Sequence, residues 1–343
     1  MRSMKLSELL LSALLVVLPV AAMAAETPKQ LLLIASKTDH QLQLRDPLNF
    51  ELIAQVALGP DPHEVEVTTD GRVAYVSNPG YGAFHEIDVI DLAHAVAQTP
   101  ISTLPLIGPH GLAYVGGKLW FTAQGSKAVG RFDPAQGRVD WVMGTGQDTT
   151  HMLYVSPDAK HMYATNVGSG TVSLLEQRMV APAMPPTGVL PPAAKPRLDW
   201  VQTLVSVGKG AEGFDVSPDG RELWTVTPGG ILSIVDVQAE RLTSQISTGL
   251  DGAHRLKFTP DGKQVLVVSV KTGALVFYDR ATRKPLKRLQ IGRGAGIFID
   301  AATGRAFISC TPDSVVSVID LASQEEVGRI PVGRPDGVGI ARR

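Results

Sequence analysis

Six side chains able to bind a metal or move a proton recur at one position of a repeated pattern: His63, His110, His151, Glu212, His254 and Asp336, with Ala295 as the seventh member of the column. Four of the chain's eight histidines stand in this column. Neutral imidazole nitrogen suits copper, zinc, nickel or iron, and two or three imidazoles converging with a carboxylate make an adequate ligand set. The same groups without a metal make an acid–base site, with His254 as the candidate catalytic base. A third reading is plainer: polar strand starts facing a water-filled channel. The residue types alone leave all three open.

The column has meaning only if the chain brings its members together, and the surrounding repeat does this. Ala211-Glu212-Gly213-Phe214-Asp215-Val216-Ser217-Pro218-Asp219-Gly220 leads to Leu223-Trp224-Thr225-Val226, and Ala253-His254-Arg255-Leu256-Lys257-Phe258-Thr259-Pro260-Asp261-Gly262 leads to Val265-Leu266-Val267-Val268. Third strands tipped by aspartate follow at Ile234-Val235-Asp236 and Phe277-Tyr278-Asp279. Weaker copies begin near Pro62, Pro109, Thr150 and Gly294. In the Pro-Asp-Gly turns proline presets φ, aspartate caps and glycine accepts positive φ. A period near forty residues with four short strands per unit predicts an all-β, seven-bladed β-propeller with four-stranded blades. The seventh blade is split, its inner strand at Gly337 to Ile340 and its other three at Leu31 to Ile34, Gln41 to Arg45 and Glu51 to Leu58. Ring closure of this kind removes open sheet edges.

These units resemble the repeats of YVTN-type β-propeller proteins, a family of secreted and periplasmic proteins; Tyr75-Val76-Ser77-Asn78 and Tyr163-Ala164-Thr165-Asn166 come nearest to the namesake tetrapeptide. The resemblance covers nearly all of the chain after its leader and implies the propeller, not a chemistry. The channel histidines are similar in plan to those of the nitrous oxide reductase propeller, although they are fewer and no cupredoxin domain follows. Architecture alone also resembles virginiamycin B lyase, which implies a metal-dependent lyase or lactonase as an alternative function.

Lys209, Arg293 and Arg334 occupy turns entering blades near the same end of the channel, where they are expected to bind an anionic ligand. The loop from Pro79 to His85 is expected above the channel with Tyr81 and Phe84 as ligand contacts, beside Lys37 to His40, Lys127 and Lys271. The proline-rich stretch 177–199 interrupts the period between the third and fourth strands of blade three and is expected to form an extended loop on the opposite face. Cys310 reads as a buried thiol, or as a soft copper ligand. A single cysteine excludes an intramolecular disulfide and haem attachment through Cys-Xaa-Xaa-Cys-His.

Arg2 and Lys5 precede an apolar run from Leu9 to Val20, and Ala22-Met23-Ala24 supplies small residues for cleavage. Residues 1–24 therefore read as a secretory signal and 25–343 as one propeller domain, which places the product in the periplasm. No later run is long enough to span a membrane. The formal net charge of −1 argues against nucleic acid as a partner. A small molecule or a metal ion, with copper, zinc or iron foremost, is the expected partner. Binding of a protein, glycan or nucleic acid across the disc face is the remaining alternative.

Overall fold

The computed structural model describes residues 26–343, so the expected signal segment lies outside the described residues. Seven antiparallel four-stranded sheets form a seven-bladed propeller, and no α-helix occurs among the described residues. The inner strands, in ring order, are Val65–Val67, Pro109–Val115, Thr150–Val155, Phe214–Val216, Ala253–Phe258, Gly296–Asp300 and Pro335–Arg342. The last of these pairs with Gln30–Ser36, which is followed outwards by Gln41–Arg45 and Leu52–Ala57.

Strand periodicity explains how the disc holds together. Side chains alternate between the two faces of a strand, and in a propeller both faces of a middle strand meet a neighbouring blade. Leu31, Leu33 and Ala35 accordingly join the cluster shared with blade one, whereas Leu32 and Ile34 join the cluster shared with blade six. All five are fully buried. Among the described residues there are seven such apolar clusters, one between each pair of adjacent blades.

Only part of the proline-rich segment is a loop. The strands Thr171–Val180 and Arg197–Ser206 remain paired out to Val180 and Arg197, so 177–180 and 197–199 lengthen the outer hairpin. Proline density rises only after Val180, and the ladder ends there because proline has no N–H to donate.

The inner ring closes by close backbone contact. Glycine follows the column residue in several blades, and a Cβ on Gly111 would lie 2.6 Å from the His151 carbonyl oxygen. One on Gly213 would lie 2.8 Å from the His254 carbonyl oxygen. Gly337 donates its N–H to the His63 carbonyl at 2.8 Å, joining the C-terminal strand to blade one. Hydroxyls of the second strands add to this belt: Thr165 donates to the Glu212 carbonyl at 2.7 Å and Thr225 to the Gly213 carbonyl at 2.8 Å.

Gly337→Ala is expected to lose about 1–3 kcal/mol in chemical denaturation, because the methyl group meets backbone that can yield only by opening the ring. Gly144→Ala, on an outer strand with nothing within 4 Å of the new atom, should stay within about 0.5 kcal/mol. Equal losses at the two positions contradict a ring held by this contact.

Candidate functional site

The column residues open or immediately precede the inner strands, so they gather at one end of the channel. Three of these strands begin with a register shift, at Pro109–Leu112, Thr150–Leu153 and Ala253–Leu256. A bulge breaks strict alternation, and consecutive residues then both serve the channel: His151 with Met152, and His254 with Arg255.

A cavity of about 370 Å³ lies at this end, lined by all six column side chains, with Lys37, Arg255, Tyr81 and Arg334 around them. His63, His110 and His151 form a row, with ring centroids 4.9 Å apart for the first pair and 3.7 Å for the second. His110 is 2% exposed, and neither its Nδ1 nor that of His151 has a hydrogen-bond partner. Burial holds the His110 imidazole well below its ordinary pKa, and the nearby His151, His63 and Arg255 add to this. The ring is therefore a neutral base in the physiological range.

Glu212 joins the two sides of the site. Its Oε1 lies 2.8 Å from His151 Nε2 and its Oε2 3.0 Å from His254 Nε2. Burial raises the pKa of this carboxyl, yet the two imidazoles outweigh it and hold the group well below the usual carboxylate range. His254 Nδ1 lies 2.9 Å from the Ala295 carbonyl oxygen, which can only accept, so Nδ1 carries a proton. A neutral His254 then turns the Nε2 lone pair towards an ionised carboxylate. That pairing needs a cation between the two, either a proton or a metal ion.

The remainder of the mouth already contains its own cations. Lys37 Nζ stands 2.9 Å from Asp61, 3.3 Å from Asp336 and 2.8 Å from His63 Nδ1. Arg255, 9% exposed, forms the floor; it donates to Glu64 at 2.8 Å and lies 3.8 Å from Glu212. Among the described residues, no three His, Cys, Asp or Glu side chains converge as a ready-made metal shell. Below Arg255 the channel continues as a cavity of about 240 Å³ lined by Glu64, Glu66, Asp215 and Lys257.

Of the expected ligand contacts, the structure places Tyr81 and Arg334 at the mouth. Tyr81 is 97% exposed and adopts a left-handed backbone, with φ of 53°. The other three are not in the cavity wall. Arg293 is paired with Asp313 at 2.6 Å, and Lys209 lines a separate groove beside Thr227. Phe84 packs its ring against Gly80 and so props up its own loop. Cys310 is buried in the cluster between blades five and six, where desolvation pushes its thiol up to about 12. The sequence reading missed Asp61, Glu64 and Arg255, each next to or near a column residue but without the glycine or histidine that marked the column.

No family model matches this chain, and no curated protein matches it. Solved structures do. A suspected 6-phosphogluconolactonase from Bacteroides fragilis is 14% identical with a TM-score of 0.69, covering 94% of this chain and 99% of that one. Hydrazine synthase from Kuenenia stuttgartiensis is 17% identical with a TM-score of 0.64, covering 83% and 96%. The dihydro-heme d1 dehydrogenase NirN, in complex with DHE, is 15% identical with a TM-score of 0.60, covering 95% and 78%. At such identities these likenesses show the fold alone.

Titration below the mouth gives a test of the channel's polarity. Burial raises the Glu66 pKa to about 7, the largest effect, against a hydrogen bond from the Tyr114 N–H. A raised carboxyl contributes stability that is complete below its unfolded pKa of about 4.5 and is lost as pH rises through about 7. Glu66→Gln should therefore exceed the parent in stability at pH 8 by up to about 3 kcal/mol, with the gain shrinking towards zero at pH 4.5. Denaturant midpoints that differ equally at both pH values contradict the assignment.

Proposed function

We propose that this propeller is a periplasmic protein of the YVTN type that binds a transition-metal ion, or a small ligand carrying one, at its histidine-lined mouth. One observation carries the reading: the His254 tautomer fixed by Ala295 presents a lone pair to Glu212, which also meets His151. Copper, zinc or iron suits this donor set. His151, Glu212 and His254 would hold the ion, and His110, neutral and unpartnered beside His151, supplies a further nitrogen. A bound ion supplies Lewis acidity and a water acidified towards neutral pH.

The chain's own groups define what else happens there. Ala295 orients His254, Arg255 forms the floor in a pair with Glu64, and Lys37 sits between Asp61 and Asp336, so that Glu212, held by two imidazoles, is the carboxylate that would meet the ion. Arg334, with no carboxylate within 4 Å among the described residues, remains for an anionic part of the ligand, and Tyr81 stands exposed at the same mouth. Export follows from the N-terminal segment read in the sequence.

A second reading places a proton where the ion would be. Glu212 between two imidazoles is then an acid–base relay, and His254 serves as general base of a lyase or lactonase.

Elemental analysis of protein purified from the periplasm should find about one transition metal per chain, lost in a His151→Ala, His254→Ala double variant. Metal-stripped protein should gain about 2.7 kcal/mol of stability at a metal concentration one hundred times Kd. Protein free of metal, with no thermal shift on titration with zinc, copper or iron, removes the metal reading; a bell-shaped rate of ester or lactone hydrolysis dependent on His254 supports the relay instead.

A further inference from the structure

The face of the disc opposite the histidines carries another built cavity, of about 330 Å³, between blades three and four. Its position is set by strand direction: Asn166 pairs with Thr150 at the mouth, and His161, at the far end of the same strand, borders this second cavity. Tyr154 and Tyr163 are cross-strand partners whose rings stack in parallel, 5.4 Å apart with an interplanar angle of 7°. Both line the cavity, with Glu176 and Glu240 among the other lining side chains. Among the described residues, no lysine or arginine lines it.

Tyr163 is 6% exposed, yet its hydroxyl makes no hydrogen bond to any described residue. The residue borders the cavity, so this hydroxyl is left free to meet a ligand there. The carboxylates retain accepting capacity as well. Glu240 Oε2 accepts from Thr203 at 2.9 Å, while Glu176 has only His161 at 3.7 Å and Arg178 at 4.0 Å. Burial, with further contributions from Glu176, Asp158 and Glu240, pushes the Tyr163 phenol up to about 12, so it stays neutral and available as an acceptor. Val237 adds apolar surface to the lining.

We infer that this cavity binds a small organic ammonium ion, a primary amine on a short aliphatic chain, at a site separate from the mouth. The ammonium would meet Glu176, Glu240 and the Tyr163 hydroxyl, and the chain would cover Val237. Aromatic rings present negative faces, which adds to the preference for a cation.

Isothermal titration at low salt tests this with n-butylammonium, its charge-reversed counterpart butyrate, and neutral n-butanol. The expected result is saturable binding of n-butylammonium alone, weakened in high salt. Affinity should fall about tenfold or more in Glu176→Gln, Glu240→Gln and about three- to tenfold in Tyr163→Phe, each folded by circular dichroism. The His151→Ala, His254→Ala variant should bind unchanged. Absence of saturable binding by the parent, equal binding of butyrate, or full affinity in the double glutamine variant overturns the inference; if a variant fails to fold, the comparison of the three probes and the salt dependence still decide it.

Discussion

The molecule depends on backbone meeting backbone around its axis. Where Gly111, Gly213 and Gly337 lie against the next blade there is no room for a side chain, and that contact sets the ring's circumference. A wider ring would leave four histidines on separate blades with water between them. At this circumference two imidazole centroids stand 3.7 Å apart and one carboxylate reaches two imidazoles from different blades. The seven apolar wedges stabilise the disc, but the spacing of the functional groups comes from the ring.

Crowding ionisable groups in a narrow channel forces them into unlike states. Burial, with two imidazoles and a guanidinium nearby, holds His110 well below its ordinary pKa against the opposing pull of Glu212. Glu212, between two imidazoles, cannot readily take a proton. Lys37 and Arg255 settle the other carboxylates: the first serves Asp61 and Asp336, the second Glu64. What remains is a neutral base and an ionised acid within one cavity, the pairing that metal ligation or proton transfer both require. The opposite face presents carboxylates and phenols, with His161 and Arg178 no nearer to Glu176 than 3.7 and 4.0 Å, so the two sides of the disc differ in chemistry.

Much of this was legible in the sequence, because period and register are properties of composition and order. The Pro-Asp-Gly turns align the copies, and alignment brings His63, His110, His151, Glu212, His254 and Asp336 into one column without any knowledge of distance. Side-chain direction was less legible. Arg255 follows His254 and by alternation should point away, but the register shift at Ala253–Leu256 turns both into the channel. Arg293 stands at an inter-blade turn as expected, and Asp313, twenty positions on, draws it aside. Lys209 shows the same limit, since a turn position fixes the backbone and not the reach of a long side chain. In the proline-rich segment the first and last residues continued a strand pairing that composition concealed.

The most direct measurement of the central claim is long-range proton–nitrogen NMR of the histidine rings across pH 4.5 to 8. One imidazole, identified by its loss in His110→Asn, should remain neutral well below the pH at which free histidine titrates, and His254 should show its proton on Nδ1 when neutral. Eight rings titrating independently near pH 6.5, with His254 in the other tautomer, would contradict a ring tight enough to hold these groups in mutual contact.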